Sequence, residues 1–220
     1  MIWIWKNLSQ RIRVFKKRLQ ISQKKWNTVQ GHSLRTVNNI LTILSRLNLT
    51  QRPDAFSKDL LTKFFDIPER LAYHLAELIN RNIVDLFSYI DQLTDVVREM
   101  RKIEHTFRSD FSVMARKHVV EGTNTWPYDL EIIEQAERTI QEIVDMYETE
   151  LTLRKQLMKE IQESITLQPL RITTYLVLWT SEIYIEPTRI HELIEEFTHV
   201  EKVCERVFQQ DSYNSVTKSR

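Results

Sequence analysis

The chain reads as all-α, an elongated helical bundle built on a long antiparallel helical hairpin of about residues 68–116 and 129–166, with further helices flanking it on both sides. Three observations lead there. The 220 residues include only two glycines and five prolines, too few for the tight turns that a sheet protein needs. From Ala72, apolar residues recur at alternating steps of four and three through Ala76, Ile79, Ile83, Leu86, Ile90, Leu93, Val97, Met100, Phe107, Phe111 and Met114, and Glu104 alone breaks the row. That spacing, about 3.5 residues on average, is the seam of a helix facing other helices. A second stripe, Ile133, Ile140, Val144, Tyr147, Leu151, Met158, Ile161 and Ile165, runs through about Asp129 to Thr166. Gly122, Asn124 and Pro127 between the two permit a reversal, so the stripes close on one another as antiparallel neighbours.

The elements follow in order. Trp5, Leu8, Ile12, Phe15, Leu19, Ser22, Trp26 and Val29 share one face of a first helix whose other faces are basic. Gly31 and Ser33 are expected to interrupt it, with Ser33 as N-cap of a second helix. That helix carries Leu34, Val37, Ile40, Leu41, Leu44 and Leu47 and ends near Asn48, because Pro53 pushes Arg52 away from helical geometry. A short helix from Phe56 to Phe65 leads to the long strut. The strut's start is marked by Asp66 as N-cap candidate and Pro68 in the first turn, and at ~1.5 Å per residue it spans roughly 60 Å or more.

At Glu104 two readings are open: a register shift that puts Ile103 in the seam, which the pattern favours, or a carboxylate paired with Arg or Lys across the bundle. The later Asp129–Thr166 helix has ten acidic against four basic residues between Asp129 and Ile165. Pro169 ends it, and the β-branched and aromatic segment LRITTYLVLW is assigned as a short buried helix because a lone strand would have no partner. Pro187 and Thr188 open a last helix with Ile190, Leu193, Phe197, Val200, Cys204 and Val207 on its seam. The whole is expected to form one helical domain over 1–210, with 210–220 as a flexible tail.

Charge is polarised along the chain. Net charge is +1, yet residues 1–53 hold eleven Lys or Arg and no acid, leaving 20 basic against 30 acidic residues in the remainder. Either the two parts neutralise one another in the fold, or the basic part meets phosphate or an acidic partner: RNA, an acidic protein or a membrane surface. Trp3, Trp5, Arg11, Arg13, Lys16, Lys17, Arg18 and Trp26 are therefore the candidate partner-binding residues. The bland alternative makes this segment a bundle helix with a solvated back, its terminal tryptophans packed under a neighbour.

No catalytic constellation is legible, and an enzyme is the reading least supported. The run His191-Glu192-Leu193-Ile194-Glu195 imitates a metalloprotease helix but has Glu195 where a second histidine must stand. Two glycines cannot form a glycine-rich phosphate loop. The lone Cys204 sits on an apolar stripe as a core residue does, and its being alone fits a reducing cytoplasmic or nuclear setting. No cofactor, metal or small-molecule substrate is implied. No run of about 18 apolar residues occurs, so no membrane span is expected. The opening MIWIWKNL is too short for a signal segment and is taken as mature structure.

One group of landmarks resembles a known family. Trp26 is followed by Val37, Ile40, Ile43 and Leu47, then by Phe64-Phe65-Asp66-Ile67-Pro68-Glu69-Arg70-Leu71. Leu86, Ile90 and Leu93 come next, and finally Tyr147, Arg154, Lys155, Leu157 and Ile161. At this spacing, over about residues 15–165, the chain resembles the AIRIM family of ATPase-interacting ribosome maturation factors. It departs from that pattern in its N-terminal extension with Trp3 and Trp5 and in a longer C-terminal region. The resemblance implies a non-catalytic adaptor or scaffold subunit, cytoplasmic and nuclear, that joins AAA+ ATPase subunits and a CINP-like helical protein. Such a complex extracts and recycles assembly factors from the maturing large ribosomal subunit and is also tied to chromatin and replication. Two rival functions remain: an RNA-binding module using the basic N-terminal helix, and a coiled-coil subunit of a spindle or trafficking complex.

Overall fold

The structure is a computed structural model that describes the backbone of residues 2–52, 54–120, 126–164 and 169–218, with side chains mainly within 9–52, 54–112, 134–163 and 171–206. The side chains of Trp3, Trp5, Met114, Ile133, Ile165 and Val207, and the turn at Gly122 and Asn124, lie outside the described residues. Six α-helices and no strand occur among the described residues: α1 (Ile2–Thr50), α2 (Lys58–Lys63), α3 (Ile67–Val120), α4 (Trp126–Ser164), α5 (Pro169–Thr180) and α6 (Pro187–Lys218). The all-α class and the long α3–α4 hairpin are as the sequence predicts, and LRITTYLVLW is helical within α5.

The clearest correction concerns Gly31 and Ser33, because α1 runs through both without a break. Ser33 caps nothing. Its hydroxyl donates to the Gln30 carbonyl at 2.9 Å and accepts the indole N–H of Trp179 at 3.2 Å. The seam continues across the expected break as Trp26, Gln30, Ser33 and Val37, all buried, and tertiary packing outweighs the roughly 1 kcal/mol that one interior glycine costs a helix. A Cβ at Gly31 would meet nothing within 4 Å. Gly31→Ala is therefore expected to stabilise the chain by up to about 1 kcal/mol, seen as a higher urea midpoint at unchanged slope; a lower midpoint would contradict an ordinary helical backbone there.

Smaller boundary differences have local causes. Helix α2 is shorter than the expected Phe56–Phe65 because Ser57 caps it, accepting the amide of Leu60 at 3.3 Å. At the start of α3 the Asp66 carbonyl accepts the amide of Arg70, while its carboxylate takes the Arg70 guanidinium at 2.6 Å instead of capping an amide. Helix α4 begins at Trp126, ahead of Asp129, with Pro127 in its first turn, where no N–H is needed.

The chain forms two compact units: Met1–Lys25, Asp95–Glu150 and Tyr184–Arg220 make the first, Trp26–Thr94 and Leu151–Ile183 the second. In the first unit the cross-helix partners fix the directions. Arg11 meets Asp110 and Lys25 meets Glu99, so α1 and α3 are antiparallel. Arg101 meets Asp145 and Glu148 while Arg108 meets Glu137, which sets α3 against α4. Arg13 meets Glu205 while Lys16 donates to Thr198, and Arg189 meets Glu142 while Thr139 donates to Glu196, so α6 runs antiparallel to both α1 and α4. Each of the four seams of this four-helix arrangement thus carries ion pairs outside an apolar interior. Within it Phe107 touches Phe15 edge-on at 5.1 Å and also meets Phe111 at 4.1 Å and Phe197 at 5.9 Å.

In the second unit, Val37, Ile40 and Leu44 of α1 form one apolar cluster with Leu75 to Ile90 of α3, Leu157 to Ile161 of α4, and Ile172, Leu176 and Trp179 of α5. One charge is enclosed beside them. Arg154 has no exposed surface, and its guanidinium lies 5.4 Å from the Trp26 ring and 5.2 Å from the Trp179 ring, flanked by both π-faces. It donates to Gln30 Oε1, to the Trp179 carbonyl and to Glu182, and the Trp26 indole donates to the same Glu182 oxygen at 3.0 Å. Glu182 adopts a left-handed backbone, φ 43°, a conformation costing a non-glycine residue on the order of 1 kcal/mol, and these donors hold it there.

Candidate interaction surface

Eleven cations without one acid make the N-terminal segment a strong local positive source, and the fold neutralises much of it internally. Arg11 is paired with Asp110, Arg13 with Glu201 and Glu205, Lys16 with Glu201, and Lys25 with Glu99. Lys17 and Arg18 are exposed and make no ion pair among the described residues. Trp26 is fully enclosed against Arg154, so it presents no surface. Trp3 and Trp5 belong to α1, but their side chains are outside the described residues. Of the candidate partner-binding residues, the first unit therefore ties Arg11, Arg13 and Lys16 to its own acidic helices and leaves Lys17 and Arg18 outward.

The pairing shifts the titrations. Burial pushes the Glu201 carboxyl up, but hydrogen bonds from Lys16 and Arg13 and their charges outweigh it and hold the group below its ordinary 4.5. Arg13 is raised in turn, chiefly by its hydrogen bond to Glu201. A depressed carboxylate adds stability that is complete above the unfolded value and is lost as pH falls through the folded one. In thermal melts stepped down from neutral pH, wild-type Tm is expected to drop below about pH 4.5. Glu201→Gln should start from a lower Tm and fall less steeply; parallel profiles would show that Glu201 contributes nothing to the acid response.

Glu104 departs from the favoured register shift. Ile103 is indeed buried, but so is Glu104, which is 3% exposed. Its carboxylate takes Arg101 at 2.6 Å and Arg108 at 3.5 Å from its own helix, and both arginines reach on to carboxylates of α4. Burial lowers the proton affinity of Arg101, yet its bonds to Glu148, Glu104 and Asp145 leave it raised overall, so it stays charged. The buried acid is thus bridged to the neighbouring helix through two arginines.

Two features were not read as sites from the sequence. Arg154 could have been found, because the α4 stripe passes from Leu151 to Met158 with position 154 between them on the same face. An arginine in a seam needs partners inside it. The other is an apolar surface in the second unit, where helix α2 buries none of its residues. Phe65 is 85% exposed and Tyr73 75%, with Phe64, Leu60 and Leu49 exposed as well. Of the tract that carried the resemblance, Phe64 to Leu71, the residues Phe64, Phe65, Glu69 and Arg70 are exposed and Asp66, Ile67, Pro68 and Leu71 half-buried.

Among the described residues no three of His, Cys, Asp and Glu converge to hold a metal ion, and no helix is long and apolar enough to cross a membrane. The geometry offers surfaces, a laced four-helix unit and a buried cationic node. No curated protein and no solved structure matches the chain. Residues 6–183 do match the family described as Ribosome biogenesis protein C1orf109-like, the family of AIRIM, and the chain belongs to this family of ribosome biogenesis proteins.

Proposed function

We propose that the chain is a non-catalytic adaptor of an AAA+ ATPase complex in large-subunit maturation, holding ATPase subunits together with a CINP-like helical protein while assembly factors are extracted and recycled. The observation that carries this reading is the family match over residues 6–183. The structure supports it in kind. Apolar seams close within each unit, and the exposed aromatics Phe64 and Phe65 sit on the family-like tract with exposed Tyr73 just beyond it; apolar side chains clustered on a surface mark contact sites for other proteins. The proposed compartments are cytoplasm and nucleus.

The rival RNA-binding module is less favoured, because Arg11, Arg13, Lys16 and Lys25 already face carboxylates. Affinity purification of the full chain from cells with mass spectrometry tests the proposal. Recovery of an AAA+ ATPase with a small helical protein is expected. Recovery of spindle or coat proteins without an ATPase overturns it. RNA affinity that falls steeply with added salt, with no ATPase recovered, would establish the rival instead.

A further inference from the structure

In the first unit the seam between α1 and α3 does not close along its whole length. Arg11–Asp110 bridges it at one point and Lys25–Glu99 at another. Between these bridges lies an open groove of about 270 Å³. Its floor holds buried Ser22 and Ile103, and its walls are Ile21 and Arg18 of α1 and Lys102 and Thr106 of α3. The lining is mainly apolar. Ile21 is nearly half exposed, and Val14, one turn before Arg18, is exposed to a similar degree.

The charges at the rim are unequal. Glu99 is neutralised by Lys25 at 2.7 Å, whereas Arg18 and Lys102 have no carboxylate partner among the described residues. The neighbouring cations Arg11, Arg13, Lys16 and Lys25 do. Two cations without a carboxylate of their own therefore flank a mainly apolar slot, and Lys17 beside Arg18 adds a third positive charge near its rim. A dry cavity of ~150 Å³ is enough to hold benzene, so this groove has room for one large apolar side chain. A phosphate chain would satisfy the two cations but leave the apolar floor uncovered. An amphipathic helix lying along the two helices satisfies both.

We propose that the α1–α3 groove seats an acidic amphipathic helix of a partner protein. An aromatic or leucine anchor enters over Ile103 and Ser22, and carboxylates about one turn to either side meet Arg18 and Lys102. The adaptor reading supplies the class of ligand, a protein; the groove supplies its chemistry. The test pans a phage-displayed library of helix-forming peptides against the full chain. Enrichment of peptides with an apolar anchor flanked by Asp or Glu is expected. Synthetic copies should bind the Arg18→Glu/Lys102→Glu double variant about tenfold more weakly or worse, since like charges then face one another. Thr106→Trp, which fills the slot without changing charge, should also abolish binding; circular dichroism melts confirm that each variant folds. No enrichment, enrichment of basic or neutral peptides, or affinity untouched by the double variant overturns the proposal. Displacement of the peptides by a uridine homopolymer would also overturn it, by assigning the groove to phosphate. If the purification recovers an ATPase while no acidic peptide binds, the groove falls and the adaptor stands. If acidic peptides bind but no ATPase is recovered, the reverse holds.

Discussion

Arg154→Ala is expected to destabilise the chain by about 3–5 kcal/mol, the usual cost of removing one partner from a buried charged network. The loss has two parts. Truncation opens a space between the rings of Trp26 and Trp179, which the guanidinium now fills. It also strips donors from Gln30 Oε1, from the Trp179 carbonyl and from Glu182. Arg154→Met separates the two parts. Methionine refills much of the volume with flexible apolar atoms, and the Glu182 side chain, about a third exposed, can recover water. Most of the alanine loss should therefore return, as when well-packed apolar residues replace buried ions. Urea unfolding measures all three proteins. A methionine variant as unstable as alanine would make the charge, not the packing, the dominant contribution. An alanine variant within about 1 kcal/mol of wild type would show that the node is not a support of the second unit.

Phe107→Ala should cost a similar amount, about 3–5 kcal/mol, through a different mechanism and in the first unit. Phe107 is almost completely buried and is the ring at which α1 and α6 meet α3, through Phe15 and Phe197. Its removal leaves a cavity that rigid helices cannot close and forfeits ring–ring contacts, edge-on with Phe15 and tilted with Phe111 and Phe197, worth ~0.5–1.5 kcal/mol each beyond their area. Phe107→Leu keeps an apolar side chain and should lose markedly less. Thermal melts of the full chain decide; an alanine variant melting within a few degrees of wild type would mean that the rings adjoin without supporting one another.

What could be read in advance was whatever depends on periodicity. Every position of the α3 row from Ile79 to Phe111 is buried, Glu104 included, and the α6 seam from Ile190 to Cys204 is buried throughout. The opposed charges of the N-terminal segment and the acidic helices do meet, at Asp110, Glu201, Glu205 and Glu99. What failed were local signals that tertiary partners overrode. Gly31 and Ser33 look like a stop and a cap until the Trp179 indole claims the serine hydroxyl, and no feature of residues 25–40 announces a donor so distant in sequence. Trp26 looked like an available aromatic for the same reason, because its Arg154 partner sits on another helix. The α1–α3 groove was beyond sequence reading altogether, because it depends on how two helices far apart in sequence pack around Ile21, Ser22 and Ile103.

The way the two units divide the chain has a consequence for its own synthesis. The second unit draws on nothing beyond Ile183, whereas the first needs Tyr184 onward: Arg13 is held by a carboxylate 188 residues downstream. A chain emerging from N- to C-terminus therefore makes its earliest basic residues long before their acidic partners exist. Until Glu201 and Glu205 have been made, Arg13 and Lys16 lack these carboxylate partners. Helix α6, made long after α1, is the one that pairs them.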